Sequence, residues 1–556
     1  MYVQCFDFSW RKRGEFSLSN TPVRFVNSWR NQTIRDNLQR QWIKSGVFRL
    51  LYWGGIQVLV FLYSDQSWAK NWHVVPSLQW QEIYSDNINL AASGKAKNGF
   101  VTQLSPAANI IWQVGKSSLN LRYNMQNLYN AHGDGDYSLA HQLQFSAHNV
   151  LLKNRFFVDS RASIGQQNIS NTRLIADNIS GNKDDTTTMR SFGVSPTWLV
   201  HLGNYVNGSV RVNADTFSSG ATTLSNSETV AEMIQLNSGS QFKRLQWSAG
   251  FNNSKAYRTD GEDVAFQSSS VSVRTHIHKK FSLFATVGHS ANAFNAAANV
   301  GRHNNGFFYT LGGRWSPSRY YWLEAGAGNN SYATVNIMPM KRLSWLTTVK
   351  CNAIGLNTGT TWQTALNYRT RNASWTLTHD NDTTTVQDIF TTQNAALVKV
   401  NSPAIQLGAM PVNISISSPS AIDGVVERAS WNLSAVFFTG KSTVSVHGFN
   451  QDRTFQASKN NAPSTERVRG VNATWQWQFA RKTSAYLSPE WQQIDRYSAK
   501  NTSSHDNRYD FAIGLNQAIT QRVSAQLEFR HVTQTSDLLS NDYQENRATA
   551  NLFMRF

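Results

Sequence analysis

From Arg547 to the last residue the chain alternates without a break. Ala548, Ala550, Leu552, Met554 and Phe556 fall on one face, and Arg547, Thr549, Asn551, Phe553 and Arg555 fall on the other. Successive strand side chains point to opposite sides, so this segment reads as a strand with one greasy face and one mostly polar face. The last strand of a soluble sandwich alternates too, but soluble domains usually finish in a few loose polar residues. Here the apolar series runs to the final Phe556.

Composition bears on the same choice. Charged residues make up 15% of the 556, aromatics 12%, and the mean hydropathy is −0.43. Few charges, low hydropathy and many rings fit a packed soluble core poorly. They fit a closed sheet with lipid outside and water inside. A terminal aromatic after such a strand resembles the assembly signal of Gram-negative outer-membrane barrels, carried here by Leu552, Met554 and Phe556. Beyond the N-terminal region no apolar run reaches the 18 residues that would mark a helical span.

An apolar run, Leu50 to Tyr63, follows Lys44 and Arg49 and ends in Ser67-Trp68-Ala69. This is the pattern of a secretory signal cleaved between Ala69 and Lys70. An inner-membrane anchor is the rival reading, although the run is short for a span. Residues 1–69 are therefore set apart as extension and signal, and 70–556 as the mature domain. Residues 1–43 show no clear periodicity. Cys5 lies in the extension and Cys351 in the body, so cleavage leaves no intramolecular disulfide. Without residues 1–69 the formal charge of +18 falls to +13, a surplus that still raises nucleic acid as a partner. The signal and the even spread of basic residues argue against it.

The body repeats one unit: an alternating segment, a short turn with Lys or Arg, a second alternating segment, then a longer polar loop. Short turns are expected at Gly115-Lys116-Ser117, Lys153-Asn154-Arg155, Gly203-Asn204, Lys243-Arg244, Lys279-Lys280, Ser318-Arg319, Lys341-Arg342, Arg371-Asn372, Gly440-Lys441, Arg481-Lys482 and Gln521-Arg522. Longer loops are expected over 130–136, 168–187, 217–227, 291–304, 383–423, 457–464 and 498–506. Eleven turns and two ends give 24 strands, within a range of 20–26. The fold expected is all-β, a single large antiparallel transmembrane barrel with short periplasmic turns, longer extracellular loops and both termini of the mature chain periplasmic. The count falls to 22 if the hairpin around Asn329-Asn330 does not form. Pro76, Pro106, Pro196 and Pro489 each remove a ladder donor and are expected at bulges or strand ends.

Alternation assigns faces. Leu119, Leu121, Tyr123 and Met125 go to lipid, as do Tyr509, Phe511, Ile513 and Leu515. The opposite faces place Arg122, Asp159, Arg161, Arg211, Arg274, Arg314, Glu324, Arg369, Glu528 and Arg530 on the lumen wall. Seven of these are basic and three acidic, so the lumen either favours anions or holds charges paired across strands. Tyr129, Tyr205, Trp315, Tyr320, Trp475, Trp477 and Phe479 would form interfacial girdles.

Two stretches carry a family likeness. One is Glu82-Ile83-Tyr84-Ser85-Asp86-Asn87-Ile88-Asn89-Leu90 with Phe100-Val101-Thr102-Gln103-Leu104-Ser105-Pro106. The other is Arg122-Tyr123-Asn124-Met125-Gln126-Asn127-Leu128-Tyr129, with His141-Gln142-Leu143 and then Arg155-Phe156-Phe157-Val158-Asp159-Ser160-Arg161-Ala162-Ser163. Together they resemble the outer-membrane barrel family associated with PEP-CTERM/exosortase systems. The motifs cover 82–167; beyond them the likeness is one of pattern and length. The resemblance implies a barrel tied to exopolysaccharide production and supplies no catalytic residues.

Chemistry is sparse. His276 and His278 share a strand face with Arg274, but no third metal ligand is visible. Asp134-Gly135-Asp136 and Asp380-Asn381-Asp382 lack EF-hand spacing and read as loop-tip turns. No nucleophile constellation, phosphate loop or cofactor motif stands out, so no enzyme, cofactor or metal site is expected. The partners expected are the outer-membrane bilayer, the barrel-assembly machinery and exopolysaccharide export components. The function expected is a passive or gated conduit. The alternative is a plugged barrel that anchors partners or matrix at the surface. Residues 383–423, with Pro403, Pro411 and Pro419, form the longest loop and the best candidate to fold inward.

Overall fold

Short turns set the frame. Gly115, Gly203 and Gly440 take positive φ (58, 54 and 57°), a backbone that glycine adopts without a Cβ penalty, and each closes a tight hairpin. A computed structural model describes residues 71–556, apart from 93, 132–135, 154, 170–179, 181–184, 295–304, 393–423, 457–462 and 499–502. The leader, the cleavage site at Ala69 and Lys70, and Asp134-Gly135 lie outside the described residues.

The described chain is a closed antiparallel ring of 24 strands in sequence order. The first quarter is β1 (Trp72–Ser85), β2 (Gly99–Val114), β3 (Ser117–Asn130), β4 (Asp136–Leu152), β5 (Phe156–Asn168) and β6 (Thr186–Leu202). Next come β7 (Val206–Ser219), β8 (Ser227–Ser238), β9 (Leu245–Arg258), β10 (Val264–His278), β11 (Phe281–Ser290) and β12 (Gly306–Ser318). Then follow β13 (Tyr321–Gly328), β14 (Asn330–Met340), β15 (Leu343–Asn352), β16 (Gly359–Arg369), β17 (Ala373–Thr385) and β18 (Val425–Thr439). The last are β19 (Ser442–Phe455), β20 (Pro463–Ala480), β21 (Thr483–Ser498), β22 (Ser503–Ala518), β23 (Val523–Ser536) and β24 (Tyr543–Arg555). The terminal alternating segment closes the ring against β1, from Ser85↔Arg547 to Ser77↔Arg555. The Phe556 amide donates to the Pro76 carbonyl at 3.0 Å.

Closure satisfies the backbone of every strand within the sheet, the condition for a sheet in lipid. All eleven short turns fall between strands as expected, and the doubtful β13–β14 hairpin is formed. Both ends of the ring therefore lie at the short-turn end. Four connections at the longer-loop end, 86–98, 259–263, 353–358 and 537–542, were not among the expected loops. In the first of them Ile88 and Leu90 are buried.

The prolines need correction. Pro106, Pro196 and Pro489 lie inside strands, and the ladder beside each skips two residue pairs on one side and then resumes in the same register. On their other edge Pro196 and Pro489 pair in register, with Val158 and Phe511. A proline lacks a donor toward only one neighbour, so a local gap suffices and no bulge is needed. Only Pro76 is near a strand end.

The wall is uneven in height. β20 has 18 residues and β4 and β6 have 17 each, whereas β13 has 8 and β11 and β15 have 10 each. Its outer face exposes a belt of large apolar groups, among them Leu311, Trp315, Trp475, Ile513 and Leu527.

Candidate functional site: the lumen wall and the helix that crosses it

After β17 the chain turns into a short helix over 386–392, α1. Its start is a cap: the Asp388 amide donates to Thr385 Oγ1 at 3.2 Å, satisfying a donor that the first turn leaves free. Val386, Ile389 and Phe390 sit at i, i+3 and i+4 and so share one face. That face packs with Met189 of β6, Phe217 of β7, Ala221 and Leu224 of the β7–β8 loop, Val426 of β18 and Phe455 of β19. Val386, Phe390, Met189 and Val426 are each 0% exposed. Strands β6 and β7 lie half a ring from β18 and β19, so these side chains meet only through the interior. This contact fixes the inner face of the wall, and it shows the start of the 383–423 segment crossing the lumen. Full burial of each large apolar chain is worth about 1.5–3 kcal/mol, which makes the crossing a firm contact.

The polar side of α1 keeps water. Asp388 remains in contact with solvent, yet the protein closing around it pushes its pKa up, opposed by hydrogen bonds from Thr385 and Thr384. The Arg161 guanidinium favours its charge. The Gln387 amide donates to the Ser225 carbonyl at 3.4 Å.

The inward charges expected from alternation are largely in pairs. Arg161 reaches Asp215 at 2.6 Å, passing over Gly193, which is in register with both. A Cβ at Gly193 would lie 2.0 Å from Asp215 Oδ1. Arg211 is 3.8 Å from Asp159, which also meets His148 Nδ1 at 2.7 Å. Arg274 meets Glu324 at 2.8 Å, and the Tyr332 hydroxyl donates to the same carboxylate at 2.7 Å. Arg314 stacks over Trp322 at 4.0 Å. Glu528 accepts from the Tyr486 hydroxyl, whose ring lies over Gly514. Arg530 donates through Nε to Asp510 at 2.8 Å. Among the described residues Arg122 and Arg369 make no ion pair.

The charges named for the lumen wall left out several inward acids. Asp510, on the inward face opposite Tyr509 and Phe511, and Asp215 complete the pairs above, and β19 to β22 carry a buried network. Arg453 and Glu466 meet at 2.8 Å with side chains 2% and 1% exposed, and Arg496 links Glu466 to Asp506 at 3.4 and 2.5 Å. These residues stand on the polar faces of their strands, so the signal was present. What the sequence lacks is the register that says who meets whom. The expected basic surplus is correspondingly offset.

Two further readings change. A register shift between His276 and His278 separates them, and His278 Nδ1 accepts from the Lys280 amide at 3.3 Å. Asp380 and Asp382 are not at a loop tip: both lie in β17, where Arg428 clamps Asp382 through two bonds of 2.9 and 2.6 Å. At the closing strand Leu552 and Met554 are half-buried and Phe556 is exposed at 65%.

No family model matches the chain, and no curated protein does. Among solved structures it is similar to the FrpB iron transporter of Neisseria meningitidis in its apoprotein form, at 9% identity and a TM-score of 0.44 over 87% of this chain and 81% of that one. It is similar also to the siderophore receptor PirA of Acinetobacter baumannii, at 9% identity and a TM-score of 0.40 over 86% and 80%. A BenF-like porin of Pseudomonas fluorescens Pf-5 aligns at 9% identity and a TM-score of 0.29 over 87% and 99%.

Proposed function

We propose that this protein is a gated outer-membrane conduit working with an exopolysaccharide system of the PEP-CTERM/exosortase type. The observation that carries the gate is α1, an apolar bridge between opposite walls of the lumen. A 24-strand ring is too wide for side chains to fill, so its interior is either open or blocked by chain. The apolar outer belt supports a place in the bilayer. The exopolysaccharide tie rests on the motifs within 82–167, and the short-turn end is assigned to the periplasm. The barrel-assembly machinery inserts the chain, and export components of the periplasm deliver the cargo. The reading gives the barrel itself no catalytic step.

A second reading, a sealed scaffold, draws on the buried ion network of β19–β22, which stiffens one wall. Conductance across planar bilayers separates the two. For the conduit we expect brief openings from the whole chain and steady ones, several-fold more frequent, from Phe390→Asp. A variant as silent as the parent would favour the scaffold.

A further inference from the structure

We propose that the inner wall near the short-turn mouth of β2–β5 holds a binding site for an acidic saccharide unit, of the uronic-acid class. The site is a cavity of about 400 Å³ whose inward-facing lining includes Ile111, Gln113, Asn120, His148, Asp159 and Arg161. All six belong to the inner face by register, through Ser118↔His148, His148↔Asp159 and Arg161↔Gly193.

The chemistry is that of a hydroxyl-rich anion. His148 Nδ1 meets Asp159 Oδ1 at 2.7 Å, which fixes the ring and leaves Nε2 to bond a hydroxyl. When the imidazole is neutral, the carboxylate selects the tautomer with the proton on Nδ1, so Nε2 is an acceptor. Asn120 and Gln113 offer amides, which both donate and accept, as a ring of hydroxyls requires. Ile111, 39% exposed, is an apolar side chain on this wall, as is Phe157, whose ring lies 5.1 Å from that of His148, and both suit the C–H face of a sugar. The lining carboxylate, Asp159, is taken up by His148 and Arg211, and the positive charge comes from arginines. The Arg161 side chain is paired with Asp215 yet 53% exposed. Arg122, one inward step beyond Asn120 on β3, has a buried Nε without a hydrogen-bond partner. A forked guanidinium binds a carboxylate through two parallel bonds; Arg122 stands beside the cavity rather than in its lining, and among the described residues it makes no ion pair.

This site deepens the conduit reading, since it names the class of cargo and places its first contact at the entrance. The two are separable because both mouths are open to solvent in detergent. Titration calorimetry of the purified full chain with a trigalacturonate probe should show saturable binding. Maltotriose, neutral and of equal length, should bind at least tenfold more weakly. Arg122→Gln and His148→Ala should each weaken the acidic probe about tenfold, with the folded barrel confirmed by heat-modifiable mobility. If His148→Ala does not fold, Asn120→Asp serves, because an added carboxylate repels the acidic probe and spares the neutral one. Equal binding of both probes, or unchanged binding in Arg122→Gln and Asn120→Asp, overturns the site. Binding retained in a barrel that never conducts would uphold the site and remove the conduit.

Discussion

The glycines of the inner wall act as floors for side chains that reach sideways. Tyr486 lies over Gly514 to reach Glu528, and a Cβ at Gly514 would sit 2.3 Å from the Tyr486 ring. Arg161 crosses Gly193 to reach Asp215 in the same manner. An aromatic ring held between strands has little room to move, whereas the tips of Arg and Asp can swing. We therefore expect Gly514→Ala to destabilise the barrel by about 1–3 kcal/mol, the range for overpacking a well-filled site, and Gly193→Ala to cost less. Urea midpoints in lipid vesicles would rank the two; the reverse order would mean that the Arg161–Asp215 pair is the stiffer unit. None of this was readable from the chain alone. Gly193 and Asp215 are separated by a whole hairpin turn, and only the register makes them neighbours of Arg161.

At the scale of elements, α1 and the β19–β22 network solve opposite problems. The helix buries apolar groups between opposite walls, and its i, i+3, i+4 series of Val386, Ile389 and Phe390 was a legible helical signal inside a segment taken as a loop that folds inward. The network buries charge, and its cost is offset only while every member is paired. Glu466 serves both Arg453 and Arg496. Glu466→Ala should therefore lower stability by about 3–5 kcal/mol, because two guanidinium groups lose a shared partner in a dry site. Glu466→Gln, which keeps the shape and one acceptor oxygen, should cost less. Unfolding curves for the two variants check this, and equal losses would place the energy in packing. The strands themselves were the most legible part. Alternation and Lys- or Arg-bearing turns are local signals, so the expected count of 24 and all eleven short turns agree with the ring. The β1–β2 loop was not legible, because buried Ile88 and Leu90 carry the pattern of a strand without being in one.

For the whole molecule, the paired lumen revises what sets selectivity. Replacing Arg274 would strand Glu324, so its loss should disturb folding more than permeation. Among the described arginines expected on the lumen wall, Arg122 and Arg369 make neither an ion pair nor a ring stack. We expect Arg122→Gln with Arg369→Gln to move the reversal potential toward cations while assembly is kept, and the shift to shrink at 1 M salt, where the Debye length is about 3 Å. An unchanged potential would put both residues off the ion path. The uneven wall has a consequence for the membrane itself. An extended strand rises about 3.3 Å per residue and tilts by about 40°, so the 8 residues of β13 cover about 20 Å of height, less than the apolar band of about 25 Å usual for such barrels. Lipids beside β13 must compress or the ring must lean to cover their tails. The low side is then a dent in the bilayer that travels with the protein, drawing in shorter-chained lipids and giving the barrel a front and a back in the plane of the membrane.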